Sequence, residues 1–435
     1  MKTIILIVAL LFAITKDKQD NCQSVYRGNP QHTGCYEGAG IGLNSSVVWK
    51  FKTGDKVISS PVIYNETLFI GSDDCFFYAI DKKSGNLKWK FKTKGRVSSS
   101  AAVFNKVVYI NSFDGFVYAL DVENGKLIWK FDTGGDKVFS ATNLHGIQTG
   151  GQVVEDPWDM YLSSPVVAKG KVFVGSGNGY FWAINAKTGQ LDWKFRTEGV
   201  IHSSPAISGD SVYFASWDSY IYALNCNNGS EIWRFKTGTD DINHNQVGFQ
   251  SSPAISGNML YIGCRDGNLR AIDRISGKLK WLFSANGSWI ITAPAVYNNR
   301  VYFGTSDTNR ILSLDSETGK IIFDKPAKSY IFSSPAIVGN KLYVGTFAGF
   351  LYEMDCISGK TRAVFSTEAS TVNGKVYLNP DSTFNTTKVF PDASWNGMLQ
   401  SVKNLYSMGS ILSSPAIDGS RLYFGSTDGF VYALE

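Results

Sequence analysis

Residues 203–237 read SSPAISGDSVYFASWDSYIYALNCNNGSEIWRFKT. Four short runs, SSPAI, VYFAS, YIYAL and EIWRF, carry apolar residues at every second position. Alternation at period two marks a strand with one face in a core. The gaps SGD, WDS and NCNNGS are made of turn-forming residues. The stretch therefore reads as a four-stranded antiparallel meander. Pro205 stands at the head of the first strand, where a missing N–H costs no ladder bond on an edge.

The unit repeats. Its Pro recurs at Pro61, Pro165, Pro205, Pro253, Pro294, Pro335 and Pro415, and Ala101 takes the place once, giving eight copies. Successive intervals are 40, 64, 40, 48, 41, 41 and 80 residues, so the bare period is 40 or 41. Repeats of that length with four strands each predict an all-β, eight-bladed β-propeller. A solenoid would share the local repeat, and the chain ends decide between them. The last copy, SSPAIDGSRLYFGSTDGFVYALE, stops after its third strand, while a fourth strand of matching type, VVWKFKTG, stands at residues 47–54. A ring has a use for split ends, because closure removes two unpaired sheet edges. The propeller is expected over residues 47–435, preceded by a lead at 22–46 and a signal peptide at 1–21.

Composition agrees. Aromatics at 14% and 43 glycines suit many short strands with tight turns. The formal charge of +5 is mild, and much of the lysine (Lys50, Lys52, Lys88, Lys90, Lys130, Lys194) alternates with Trp and Phe in the fourth strand. Placed there, it guards the outermost edge against pairing. It does not form the compact basic cluster that nucleic acid requires. Residues 4–14 are eleven apolar residues followed by charge. That is too short to span a bilayer and fits an export signal. The mature chain is thus expected in the periplasm or secreted, without a transmembrane span. Six cysteines occur with no CxxC, which offers no metal ribbon or haem attachment. Cys22 and Cys35 share the lead and are open to pairing after export; free thiols are expected elsewhere.

The turn between third and fourth strands opens on Asp81, Asp121, Asn185, Asn225, Asp273, Asp315 or Asp355. Each is expected to bond its own downstream backbone and so to be structural, not catalytic. Trp49, Trp89, Trp129, Trp193, Trp233 and Trp281 repeat in the fourth strand, with Phe323 and Ala363 in their place in two blades. Those two blades are expected to pack less well.

The repeat, as in YALDVENGKLIWKF at residues 118–131, resembles the PQQ-like (quinoprotein-type) β-propeller family over residues 26–435. YRGNPQHTG, residues 26–34, is similar to the entry of exported members. Further similarity lies in LHGIQ (144–148), DPWDMYLSSP (156–165), HNQVGFQSSP (244–253) and GCRDGNL (263–269). The resemblance implies a bacterial subfamily of exported propellers with no assigned reaction. Alcohol-oxidising members carry an adjacent Cys pair and a calcium set, and some members a CxxCH segment; this chain has neither CC nor CxxCH. Outer-membrane assembly lipoproteins use the same repeat as a scaffold. No cofactor is therefore expected, and PQQ with calcium is disfavoured.

In a four-stranded meander the connections alternate between two faces. First-to-second and third-to-fourth turns share a monotonous face. The other carries the insertions near 134–161, 238–250 and 366–411 that stretch the intervals. Rigid scaffolds display binding residues on such loops. Trp158, Trp217, Trp289 and Trp395, outside the repeat pattern, map to this face, as do His145, His202 and His244. Polar company comes from Asp156, Asp159, Asp218, Asp240, Asp241, Asn243, Asn245, Gln246, Arg265, Asp266 and Asp307. Trp217 and Trp289 sit in short loops and are expected to pack shallowly. No HExxH, P-loop or GxSxG is present, and no spacing imposes a metal set on His145, His244, Asp156 and Asp159. The expected function is binding or scaffolding of a protein partner or polysaccharide-like ligand. A quinone- or metal-dependent oxidoreductase is the alternative.

Overall fold

The computed structural model describes residues 24–42, 45–240 and 242–435. The signal-peptide reading of 1–21, Cys22 with its pairing to Cys35, and Asp241 lie outside these residues.

Eight four-stranded antiparallel blades follow one another around a ring. Blade 1 shows the pattern, with strands Val62–Tyr64, Thr67–Gly71, Phe76–Asp81 and Leu87–Lys92. Blades 2 to 7 repeat it over 102–132, 166–196, 206–236, 254–284, 295–326 and 336–366. Blade 8 joins 416–434 to Val47–Lys52 from the other end of the chain. Trp49 there faces Ala433, as Trp89 faces Ala79 in blade 1, so the closing strand takes the common register. The middle strands are buried except at their ends, and the fourth alternates exposed positions with half-buried or buried ones, its lysines outward.

The fourth-strand Trp bolts each blade to the next. Trp129 Nε1 donates to the Ala186 carbonyl at 3.0 Å, and the equivalents at Trp49, Trp89, Trp193, Trp233 and Trp281 do likewise. The ring lies on the turn glycine of the next blade, so closely that a Cβ on Gly189 would stand 2.7 Å from Trp129. Phe323 uses the same seat at Gly359. Ala363 has none, because the third and fourth strands of blade 8 come from opposite ends and share no turn. Its small side chain thus reflects a missing seat and not slack packing. The Asp and Asn that open these turns accept backbone N–H bonds from two residues on, as Asp81 does from Lys83 and also from Ser84.

Two further devices line the axis. The second Ser of SSPA forms a girdle. Ser60 N donates to Ser100 Oγ, Ser100 N to Ser164 Oγ, and so around the ring, in seven bonds of 2.9–3.1 Å. The break falls at Ser252, whose neighbour is Ala293. The lead threads the inside of the ring. Ser24–Val25 pairs with blade 2 and Cys35–Tyr36 with blade 7. Between them Pro30, Gln31, Thr33 and Gly34 carbonyls accept from Ile207, Ile255, Val296 and Ile337 at 2.8–2.9 Å, and Gly38 bridges Gly419 of blade 8. Five innermost strands and the first turn of blade 8 thereby gain a partner from one segment. Arg27, 2% exposed, spreads its guanidinium over the Pro335 and Pro294 carbonyls. Gly34 must be glycine, since a Cβ would meet that guanidinium at 2.2 Å.

The insertion at 366–411 is helical. α1 (Glu368–Tyr377) is capped by Thr367, α2 spans Thr386–Val389, and α3 (Trp395–Ser407) is capped by Ser394. Caps of this kind satisfy the first free N–H groups of a helix. The helices bury Val402, Leu405 and Met408 against Trp158 and Met160 of the first insertion and Phe332 and Phe347 of the ring. The result is a second small core stacked on the propeller.

Candidate functional site on the long-loop face

The first insertion returns through a short hairpin, Ser140–Ala141 with Val154–Glu155, and a turn at Leu144–Gly146. His145 N donates to the Asn243 carbonyl at 2.7 Å, tying it to the 238–250 loop. The segment after the hairpin places Asp156, Trp158 and Asp159 among buried side chains.

Two ion networks lie beneath this surface. Asp156 receives Arg265 Nη1 at 2.6 Å, His145 Nε2 at 3.1 Å and the Trp158 N–H at 2.9 Å. Arg265, fully buried, lies under the rings of Trp289 and Trp217, at 3.9 and 4.8 Å from their centroids. Burial alone would raise the Asp156 carboxyl; Arg265 and His145 instead hold it well below the usual carboxylate range. In the second network His202 stands between Asp159, 2.8 Å from Nδ1, and Asp136, 3.1 Å from Nε2. Burial alone would lower its pKa; the two carboxylates push it up to about 10. Both networks stitch insertions to blades, and each of their carboxylates already has a partner.

Above them a cleft of about 450 Å³ opens. His145, Trp158, Asn245, Trp289 and Asp307 line it together with Tyr330, Phe332, Phe390, Asp392 and Met398. The His145 ring lies 5.6 Å from that of Trp289 and its Nδ1 2.7 Å from Asn245 Oδ1. Helix α3 is a shared wall. Beyond it lies a second hollow of about 400 Å³ with Lys56, Arg96, Asp156, Asp159, Lys403 and Tyr406 in its lining.

The remaining candidates fall elsewhere. Asp218 and Asp266 are committed to their blades. Asp218 accepts the Tyr222 hydroxyl at 2.7 Å, as Asp74, Asp114 and Asp428 accept those of Tyr78, Tyr118 and Tyr432. Asp266 holds Arg270 in the same way. The shallow packing expected of Trp217 does not hold. It is 3% exposed, stacks on Phe139 at 4.2 Å, and lies so close to Gly248 that a Cβ there would clash. The first insertion folds over it, which loop length alone could not reveal. Asn243, His244 and Gln246 form a loop organised by Asp240, whose carboxylate accepts from the Asn243, Asn245 and Gln246 N–H groups. His244 stands near Phe139, and Trp395 begins α3. Sequence reasoning missed Asp136, Tyr330, Phe390, Asp392 and Met398. The capped, 3.6-periodic run around α3 was the signal available for the last two.

A quinone with calcium would need several free oxygen donors for the metal and cations for the quinone carboxylates. The buried carboxylates here are engaged by Arg265, His145 and His202, and Arg265 is engaged by Asp156. Among the described residues no group of three or more His, Cys, Asp or Glu is arranged to hold a metal. Within these two buried networks no carboxylate is left without a partner to take up a calcium ion.

A family profile described as "Outer membrane protein assembly factor BamB" matches residues 42–156, 145–288 and 284–435. The chain belongs to this family of PQQ-like propellers. No curated protein matches it. Among solved structures it is similar to BamB from Moraxella catarrhalis, with TM-score 0.61, 16% identity, and coverage of 90% of this chain and 97% of that one. It is also similar to the quinohemoprotein alcohol dehydrogenase from Comamonas testosteroni, with TM-score 0.68, 14% identity, and coverage of 94% and 80%. A computationally designed protein, Ika8, matches with TM-score 0.61, 14% identity, and coverage of 88% and 96%. At these identities the likeness is one of fold. Among the described residues no helix is long and apolar enough to cross a membrane.

Proposed function

We propose that this protein is an exported, non-enzymatic binding scaffold that seats a protein partner on its long-loop face. The observation that carries the reading is the cleft of about 450 Å³, walled by all three insertions and by blade-to-blade loops. Concave sites lined by aromatic groups with a few polar ones are common binding sites. The family description, an outer membrane protein assembly factor, favours a protein of the cell envelope as partner and the periplasm as location. A polysaccharide-like ligand finds no support in that description. The oxidoreductase alternative would find the buried carboxylates of this face already engaged, and absorption spectra after addition of PQQ and calcium test it directly.

The test of the leading reading is photo-crosslinking in intact cells. A photoreactive residue at Ile242 or Asp307, on the long-loop face, is expected to capture the partner. The same residue at Glu123 or Glu317, on the short-turn face, is expected to capture nothing specific. Partner adducts arising only from the latter pair would overturn the assignment of the face.

A further inference from the structure

The cleft has a chemical polarity that narrows what enters it. Its apolar wall is Trp158, Trp289, Phe332, Phe390 and Met398. Trp158 and Phe332 are buried, and the other three are half-buried and open to the cleft. The rim carries two exposed carboxylates. Asp307 accepts from the Ser306 hydroxyl at 2.7 Å, and Asp392 from the Ser394 N–H at 2.8 Å. No Lys or Arg is among the described residues lining the cleft. The nearest buried cation described above, Arg265, lies behind Trp289 and is neutralised by Asp156. The cleft therefore joins an aromatic floor to an uncompensated negative rim.

We propose that it takes a basic, apolar segment of the partner protein: an aromatic or aliphatic side chain against Trp289 and Phe332, with a neighbouring Lys or Arg at Asp307 and Asp392. This rests on the scaffold reading above and adds the chemistry of the segment recognised. Charge complementarity supplies the argument. An anionic or lipid-like occupant would face two carboxylates with no cation to meet it, and like charges brought together disfavour the wrong partner. A buried aromatic anchor is the usual centre of such a contact.

The experiment uses the full chain and defined probes. Saturation-transfer NMR compares a blocked Phe-Arg dipeptide, the matching Phe-Glu dipeptide and laurate. Phe-Arg is expected to bind and the other two not. Asp307→Asn with Asp392→Asn is expected to weaken Phe-Arg binding by up to about fivefold, the upper end for an exposed charge pair, and to remove the discrimination. Trp289→Ala is expected to abolish the signal while the far-UV spectrum is unchanged. Equal binding of the two dipeptides, preference for laurate, no binding of Phe-Arg, or an unchanged preference in the double Asn variant would each overturn the inference. Should crosslinks from Ile242 still capture the partner in that case, the scaffold reading stands and only the basic-apolar segment falls. Loss of those crosslinks as well sinks both.

Discussion

His202 shows how a buried charge becomes a pH dependence. Its folded pKa is raised from 6.5 to about 10 by Asp159 and Asp136, against the effect of burial. A raised pKa means that its contribution to stability is whole below about pH 6.5 and is lost as pH rises toward 10. The melting temperature is expected to fall across that window, and His202→Gln to flatten the slope in a thermal-melt series. Arg265 is a second case. Arg265→Met leaves Asp156 buried with only His145 and one N–H for company, at a cost of about 3–5 kcal/mol, measurable by urea denaturation. The two loop tryptophans separate in the same assay. Trp217→Ala, at a fully packed site, is expected to cost about 3–5 kcal/mol. Trp289→Ala, half-buried in the cleft, is expected to cost less, because part of its surface is already in contact with water. Equal losses would mean that Trp289 is a packing residue.

At the scale of elements, the serine girdle and the lead act on the same inner edges of the blades. The girdle is open at one joint, where Ala293 offers no hydroxyl to Ser252 N. Ala293→Ser supplies the acceptor that seven other joints have, so the urea midpoint is expected to rise by the equivalent of about 0.5–1.5 kcal/mol. A lower midpoint would show that blade 6 has no room for the oxygen. The lead makes bonds to six blades through its backbone and one buried cation. Arg27→Ala removes the group that spans the blade 6 and blade 7 carbonyls. It is expected to speed hydrogen exchange at Ile255, Val296 and Ile337, whose N–H groups the lead covers.

The whole molecule depends on closure. Val47–Lys52 supplies both the outer strand of blade 8 and the Trp49 bolt to Gly85 of blade 1. Deleting residues 47–54 therefore exposes an edge and unseats a blade joint, and the chain is expected to melt earlier and to aggregate. An unchanged melting curve would contradict a closed ring. The turns on one face are held by Asx bonds and by Trp seats, so they have little freedom to vary. The other face bears the blade-to-blade connections, three of which carry long insertions.

What the sequence by itself determined is whatever repeats. Period-two alternation, the turn Asp and Gly, and the split last copy each recur or complement one another, so eight blades and their closing strand could be read directly. The Lys of the fourth strand and the structural role of Asp81 and its equivalents were legible for the same reason. Only the tertiary structure decided what occurs once. Ala363 is small because blade 8 has no turn to receive a tryptophan, a consequence of closure seen only in space. Trp217 looks exposed until the first insertion folds over it. Asp136, Asp159 and His202 lie 23 and 43 residues apart in turn, with no spacing to link them. The cleft joins all three insertions and ring loops, and such meetings are made by packing, which local patterns do not encode.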